Sequence, residues 1–165
     1  MTEWWREVAE SKVLQILQAF KTKLETITVA NGYNFTLKRV TYGFVGFDNV
    51  KEHPTVCLVT YPIPFEPLTN NEYTSGGGRN TTDGWRIGVI GYVDSTRGEE
   101  DLTDQCVNLI EDIIEAMLAD HTLGLSAFVN NCYLINADWA PNTENTKGTV
   151  IVYFDVKYDF PKTAA

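Results

Sequence analysis

Glu111, Asp112 and Glu115 fall within little more than one helical turn, the spacing at which paired carboxylates can share general acid–base work. Glu111 and Glu115 lie on one helical face, while Ile110, Ile113 and Ile114 mark the side that must be buried. All three acids are therefore expected to point outward, into water, as a solvated face or an electrostatic docking surface rather than as catalytic groups. The triplet Gly76-Gly77-Gly78 followed by Arg79 invites a phosphate-binding reading, but a phosphate cradle needs a lysine and a helix start next, and neither follows. The chain has two histidines, His53 and His121, in different turns and without a partner at metal-ligand spacing, so turn histidines in solvent are expected. No serine or cysteine sits beside a plausible catalytic base in the sequence. No catalytic residue, metal ligand or cofactor is assigned.

The segment PIPFEPLTNNEYTSGGGRNTTDG, Pro62 to Gly84, separates two strong β runs. Compact domains seldom keep a structureless connection of about twenty residues unless it binds something or folds against a partner. This loop, at about 62–84, is expected to be flexible in the free chain, with Asn70, Tyr73 and Arg79 as interaction residues. Trp4 and Trp5 open the chain, and interfaces favour indoles, so these two are read as interface anchors or core caps.

The elements that must carry these residues follow from periodicity. Val13, Leu14, Leu17, Phe20, Leu24 and Ile27 recur at three- and four-residue steps, which predicts an amphipathic helix over about Glu3 to Ile27, ended at Asn31-Gly32. Tyr33–Phe44 reads as a strand with a parity switch near Lys38-Arg39, hence a bulge or bend. Thr55–Tyr61, apolar on both faces, reads as a covered central strand. Trp85–Val93 is a third strand, whose Gly88 and Gly91 leave room for a close neighbour. A second helix is predicted from about Asp101, as its N-cap, to Leu118. Strands at Cys132–Ala137 and Thr149–Tyr158, joined by a polar turn over Pro141–Gly148, close the chain. The order α-β-β-β-α-β-β predicts an α+β single domain: a mostly antiparallel or mixed sheet of about five strands with two amphipathic helices on one face.

At 165 residues, 44% hydrophobic and 21% charged, the chain has the length and composition of one folded domain. Its three cysteines, Cys57, Cys106 and Cys132, each sit in an apolar run and are expected to be buried thiols of a reducing compartment. The first residues, MTEWWREVAESK, mix acids, bases and tryptophans, unlike a secretory or transit signal. No apolar run approaches the roughly 20 residues that cross a bilayer, so no membrane role is expected. Residues 99–120 hold eight acids and no base, nearly all of the net charge of −9. Without a Lys/Arg cluster, nucleic-acid binding is not expected.

In order and texture, the chain resembles the small tail terminator and tail-completion proteins of tailed bacteriophages, the minor tail protein U-like group. The resemblance runs through VLQILQAFKTKLETI to Asn31-Gly32-Tyr33, the strand after His53-Pro54, RIGVIGYV, the acidic helix ending MLADHTLG, and the closing VIVYFDVKYDF, roughly Val13 to Phe160. The extension carrying Trp4 and Trp5 and the length of the central loop depart from it. The resemblance implies a non-enzymatic virion protein, assembled in the host cytoplasm, whose subunits close a homo-oligomeric ring, a hexamer, on the tail tube. Its partners would be the major tail tube protein and the head–tail connector or neck proteins. Alternatives in view are another neck or head-completion (stopper) protein, a small cytoplasmic enzyme under the loop, and a ligand-binding module using the loop as a lid.

Overall fold

The computed structural model describes residues 11–62 and 80–161. The first predicted stripe becomes α1 (Lys12–Glu25), which buries Ile16, Phe20 and Leu24 completely. Burying each such side chain contributes about 1.5–3 kcal/mol. Leu14 falls off that stripe and is exposed. The chain then makes a 3-10 turn (Val29–Asn31), and Gly32, at φ 93°, closes it in the left-handed region as the Asn-Gly pair predicts.

Five strands follow: β1 (Arg39–Tyr42), β2 (Thr55–Pro62), β3 (Asn80–Asp94), β4 (Val129–Pro141) and β5 (Lys147–Pro161), with α2 (Glu99–Leu118) between β3 and β4. They form one sheet in the order β1-β2-β3-β5-β4. β1 runs parallel to β2, and every other pairing is antiparallel. The architecture is α+β with a mixed sheet.

Alternation along the strands sorts the core into two layers. Val56 and Leu58 of β2, Ile87, Val89 and Val93 of β3, and Val150, Val152, Phe154 and Val156 of β5 face one way, where both helices cover them. Phe20 of α1 meets Phe154 edge-on, ring centroids 5.8 Å apart. On the opposite face Cys57, Ile90 and Tyr92 make a smaller cluster under Val45, Phe47 and Val50 of the β1–β2 connection. Phe47, within a 3-10 turn (Phe47–Asn49), packs edge-on against Tyr92 at 5.8 Å. β2 is thus covered on both faces, as its continuous apolar sequence predicts.

Two glycines are required by close approach. A Cβ on Gly91 would stand 2.7 Å from Leu109 Cδ2 of α2 and 2.8 Å from Val150 Cγ2, so the helix crosses β3 there. A Cβ on Gly148 would collide with Cys106 Sγ.

Four expected boundaries are corrected. α1 begins at Lys12, behind its N-cap Ser11, and not near Glu3. Residues 80–84, expected within the loop at about 62–84, open β3 and pair with β5. Only Arg39–Tyr42 of the expected Tyr33–Phe44 strand joins the sheet. Tyr33, Phe35 and Leu37 do pack on the core, but their amides are spent elsewhere: Tyr33 on Thr28 O, Phe35 on Asp112 and Leu37 on Ile27 O. The N-cap of α2 is Gly98, and Asp101 lies in the first turn, where its carboxylate accepts from Ser95 Oγ. That first turn holds Glu99, Glu100 and Asp101, which suits the positive end of the helix dipole.

Candidate functional site

The carboxylates of α2 divide into two populations. Glu111 and Glu115 are exposed, as expected, and continue a solvent-facing stripe through Glu100, Asp104, Val107 and Leu118. Its acids stand at i, i+4 spacing, Glu100 to Asp104 and Glu111 to Glu115, where like charges repel by a few tenths of a kcal/mol. Among the described residues neither Glu111 nor Glu115 has a salt-bridge partner.

Asp112 does not belong to that surface, which corrects the expectation that it points outward. It is 1% exposed. Its Oδ1 accepts from the backbone N–H of Asn34 at 3.0 Å and from the Asn34 side-chain amide at 2.9 Å. Its Oδ2 accepts from Phe35 N–H at 2.9 Å. This carboxylate ties α2 to the segment that leads into β1. The signal was present in the sequence: Asp112 stands three residues after Leu109 and four before Ala116, both buried, so it flanks the apolar stripe.

Trp4, Trp5, Asn70, Tyr73 and Arg79, with the Gly76–Gly78 triplet, lie outside the described residues. His121 is exposed in the turn after α2. His53 is not a solvated turn residue; its side chain is 13% exposed, with Nδ1 3.7 Å from Asp94 Oδ2. The three thiols are free and buried. Burial pushes the Cys106 thiol up to about 11 and that of Cys132 up to about 12, and it also raises Cys57. Beside Cys57, Tyr92 donates its hydroxyl to Val45 O at 2.5 Å, and burial is the main cause that raises this phenol to about 12. These groups remain protonated at neutral pH; Cys106 and Cys132 serve the main core, Cys57 and Tyr92 the smaller cluster.

Among the described residues no His/Cys/Asp/Glu grouping is arranged to hold a metal, and no helix is long and apolar enough to cross a membrane. A polar depression of about 340 Å³ lies where β3 hands over to α2, lined by Asp94, Ser95, Thr96, Arg97, Asp101 and Gln105. Ser95 satisfies part of it, donating to Asp101 and accepting from Arg97 N–H at 3.1 Å.

Exposed apolar surface is concentrated at the two ends of the sheet. Of nine large apolar side chains exposed among the described residues, five lie on or beside the outer strands. Tyr133, Leu134 and Ile135 are 45%, 40% and 46% exposed on β4, and Tyr42 and Phe44 are 45% and 69% exposed at the end of β1. Three consecutive apolar residues in a strand cannot all face one core, and Tyr133-Leu134-Ile135 carries that signal in the sequence. β4 carries register shifts between Val129 and Asn131 and between Leu134 and Asn136, so Ile135 has no partner on β5. Beyond the second shift, Ala137 and Trp139 give their amides to the side chains of Asn136 and Asp138, each at 2.8 Å, and Pro141 has no N–H. That end of the edge is blunted by its own sequence, whereas the Tyr133–Ile135 end is not.

On the face of the sheet away from the helices an ion pair joins neighbouring strands. Arg86 of β3 meets Asp155 of β5 through two hydrogen bonds, 2.8 Å and 3.1 Å, in a fork. Asp155 is 8% exposed, and the guanidinium satisfies both of its oxygens.

No family model and no curated protein matches this chain.

Proposed function

We propose that this chain is a non-enzymatic virion assembly protein of the tail-terminator type. Its subunits close into a ring, with six the expected number, on the end of a tail tube, stop its growth and present a surface to the neck. The sequence resemblance supplies the kind of assembly. The observation that carries the reading is the pair of apolar patches at opposite ends of the sheet. A cyclic ring needs two dissimilar patches per subunit, each complementary to the other on its neighbour. Patches of exposed aromatic and aliphatic side chains mark protein contacts more often than solvent-facing surface.

The acidic stripe of α2 supports the same reading. A face bearing Glu100, Asp104, Glu111 and Glu115 steers cationic partners towards it and repels a phosphate backbone passing nearby. In this reading Glu111 and Glu115 belong to the surface that docks tube or neck, and Asp112 to the scaffold beneath it.

The test is tube growth. Purified tail tube protein polymerised with this chain is expected to give tubes of arrested length, with label on the chain at one end only. Tubes that lengthen as they do without it, with no end label, would defeat the proposal.

A further inference from the structure

We infer that the outer edge of β4 receives the outer edge of β1 from a second copy of this chain, set antiparallel and joined mainly through side chains. This deepens the assembly reading, on which it rests, by naming the two surfaces that meet.

Three observations carry it. The first is strand direction. β1, β2 and β5 point one way, and β3 and β4 the other. A copy brought round by rotation, with its helices on the same side of the sheet, sets its β1 antiparallel to the β4 it meets. Antiparallel is the slightly more stable pairing per residue.

The second is charge. The β1 region from Thr36 to Phe44 carries Lys38 and Arg39, both exposed, and no acid. The only charged residue of β4 is Asp138, also exposed. A β4–β4 contact has no opposite charge to offer, whereas β4–β1 does.

The third is register. Partner numbers in an antiparallel ladder rise on one strand as they fall on the other, so setting Arg39 opposite Asp138 brings Val40 to Ala137 and Tyr42 to the bulged Ile135, with Phe44 beyond the ladder after Gly43 at φ 79°. One alignment therefore pairs both the charges and the apolar residues. The faces agree as well. Val40 packs under the helices, which turns its neighbour Arg39 to the other side. Asp138 stands opposite Ile151, which packs in the cluster on that same other side. The four residues of β1 fall opposite Ile135 to Asp138, where the Ala137 amide is already given to Asn136, so side chains such as Ile135 and Phe44 supply most of the contact.

Sedimentation equilibrium of the full chain, from micromolar to about 1 mM, tests this. The wild-type chain is expected to self-associate. Phe44→Lys and Ile135→Lys, both at exposed positions and neither expected to disturb the fold, should each weaken self-association at least about tenfold. Each variant keeps one good edge, so an equal mixture of the two is expected to form one-to-one dimers and nothing larger. A wild-type chain monomeric throughout overturns the inference. So does undiminished association of Phe44→Lys, which would mean that β4 pairs with itself, or a mixture that stays monomeric. Failure here is distinguishable from failure of the function: a chain monomeric alone that still arrests tubes loses only the edge contact. A chain with the expected mixing pattern that leaves tubes growing loses only the tail role.

Discussion

Asp112 holds Asn34 twice: one carboxylate oxygen accepts both the backbone N–H and the side-chain amide of a residue 78 positions earlier. The second oxygen takes Phe35 N–H, so α2 fixes how the chain enters β1. The outer strand proposed to meet a second copy is therefore positioned by a residue buried beneath the acidic surface.

Asp112→Ala leaves donors of the Asn34–Phe35 segment without their charged acceptor and should lower stability by about 2–4 kcal/mol. Glu111→Gln and Glu115→Gln should stay within about 0.5 kcal/mol of the parent. Urea midpoints at constant m-value measure all three. Equal, small effects across the series would mean that the Asp112 clamp contributes nothing.

Gly91→Ala pushes a methyl group to 2.7 Å from Leu109 and 2.8 Å from Val150, and overpacking of this kind costs about 1–3 kcal/mol. Shortening Leu109 in the same chain makes room for that methyl group. The double variant Gly91→Ala with Leu109→Ala should therefore lose less stability than the two single losses together. Simple additivity in thermal or urea unfolding would show that helix and strand are not in contact there.

Alkaline pH should unfold the protein earlier than its exposed groups require. Cys106, Cys132 and Tyr92 have protonated forms held by burial, from ordinary values of 9.0, 9.0 and 10.0 up to about 11, 12 and 12. A raised value means the folded state keeps the proton longer than the unfolded chain does. Its stabilising contribution is complete below pH 9 and is lost as pH rises towards 12. Unfolding free energy measured from pH 8 to pH 11 should fall steadily above 9. A disulfide-exchange dye at pH 8 should label none of these thiols until denaturant is added. Rapid labelling of the native chain would contradict their burial.

Glu111→Lys with Glu115→Lys reverses half of the exposed acids of the α2 stripe without touching Asp112. Secondary structure and melting should change little, and capture of tail tubes or neck particles should weaken. The parent's capture should also decline with added salt, because exposed charges are screened beyond about 10 Å at 0.1 M. Normal head–tail joining by the double variant would leave the stripe a solvated surface only.

Much of this fold was legible from periodicity. Phe20, Leu24 and Ile27 announced one helix, Leu109, Ile113 and Met117 the other, and the alternation of Val150, Val152, Phe154 and Val156 announced a strand with one covered face. These patterns reflect local geometry, 3.6 residues per helical turn and two per strand repeat, so residues alone determine them. Element order and the α+β class followed. Which strands stand at the edges did not, because it depends on pairings between residues far apart in the chain, and only those pairings leave Tyr133, Leu134 and Ile135 in solvent. The fate of Asp112 was likewise decided by tertiary structure. A carboxylate at the border of an apolar stripe is solvated unless another segment brings donors to it, and Asn34 and Phe35 arrive only when the fold is complete.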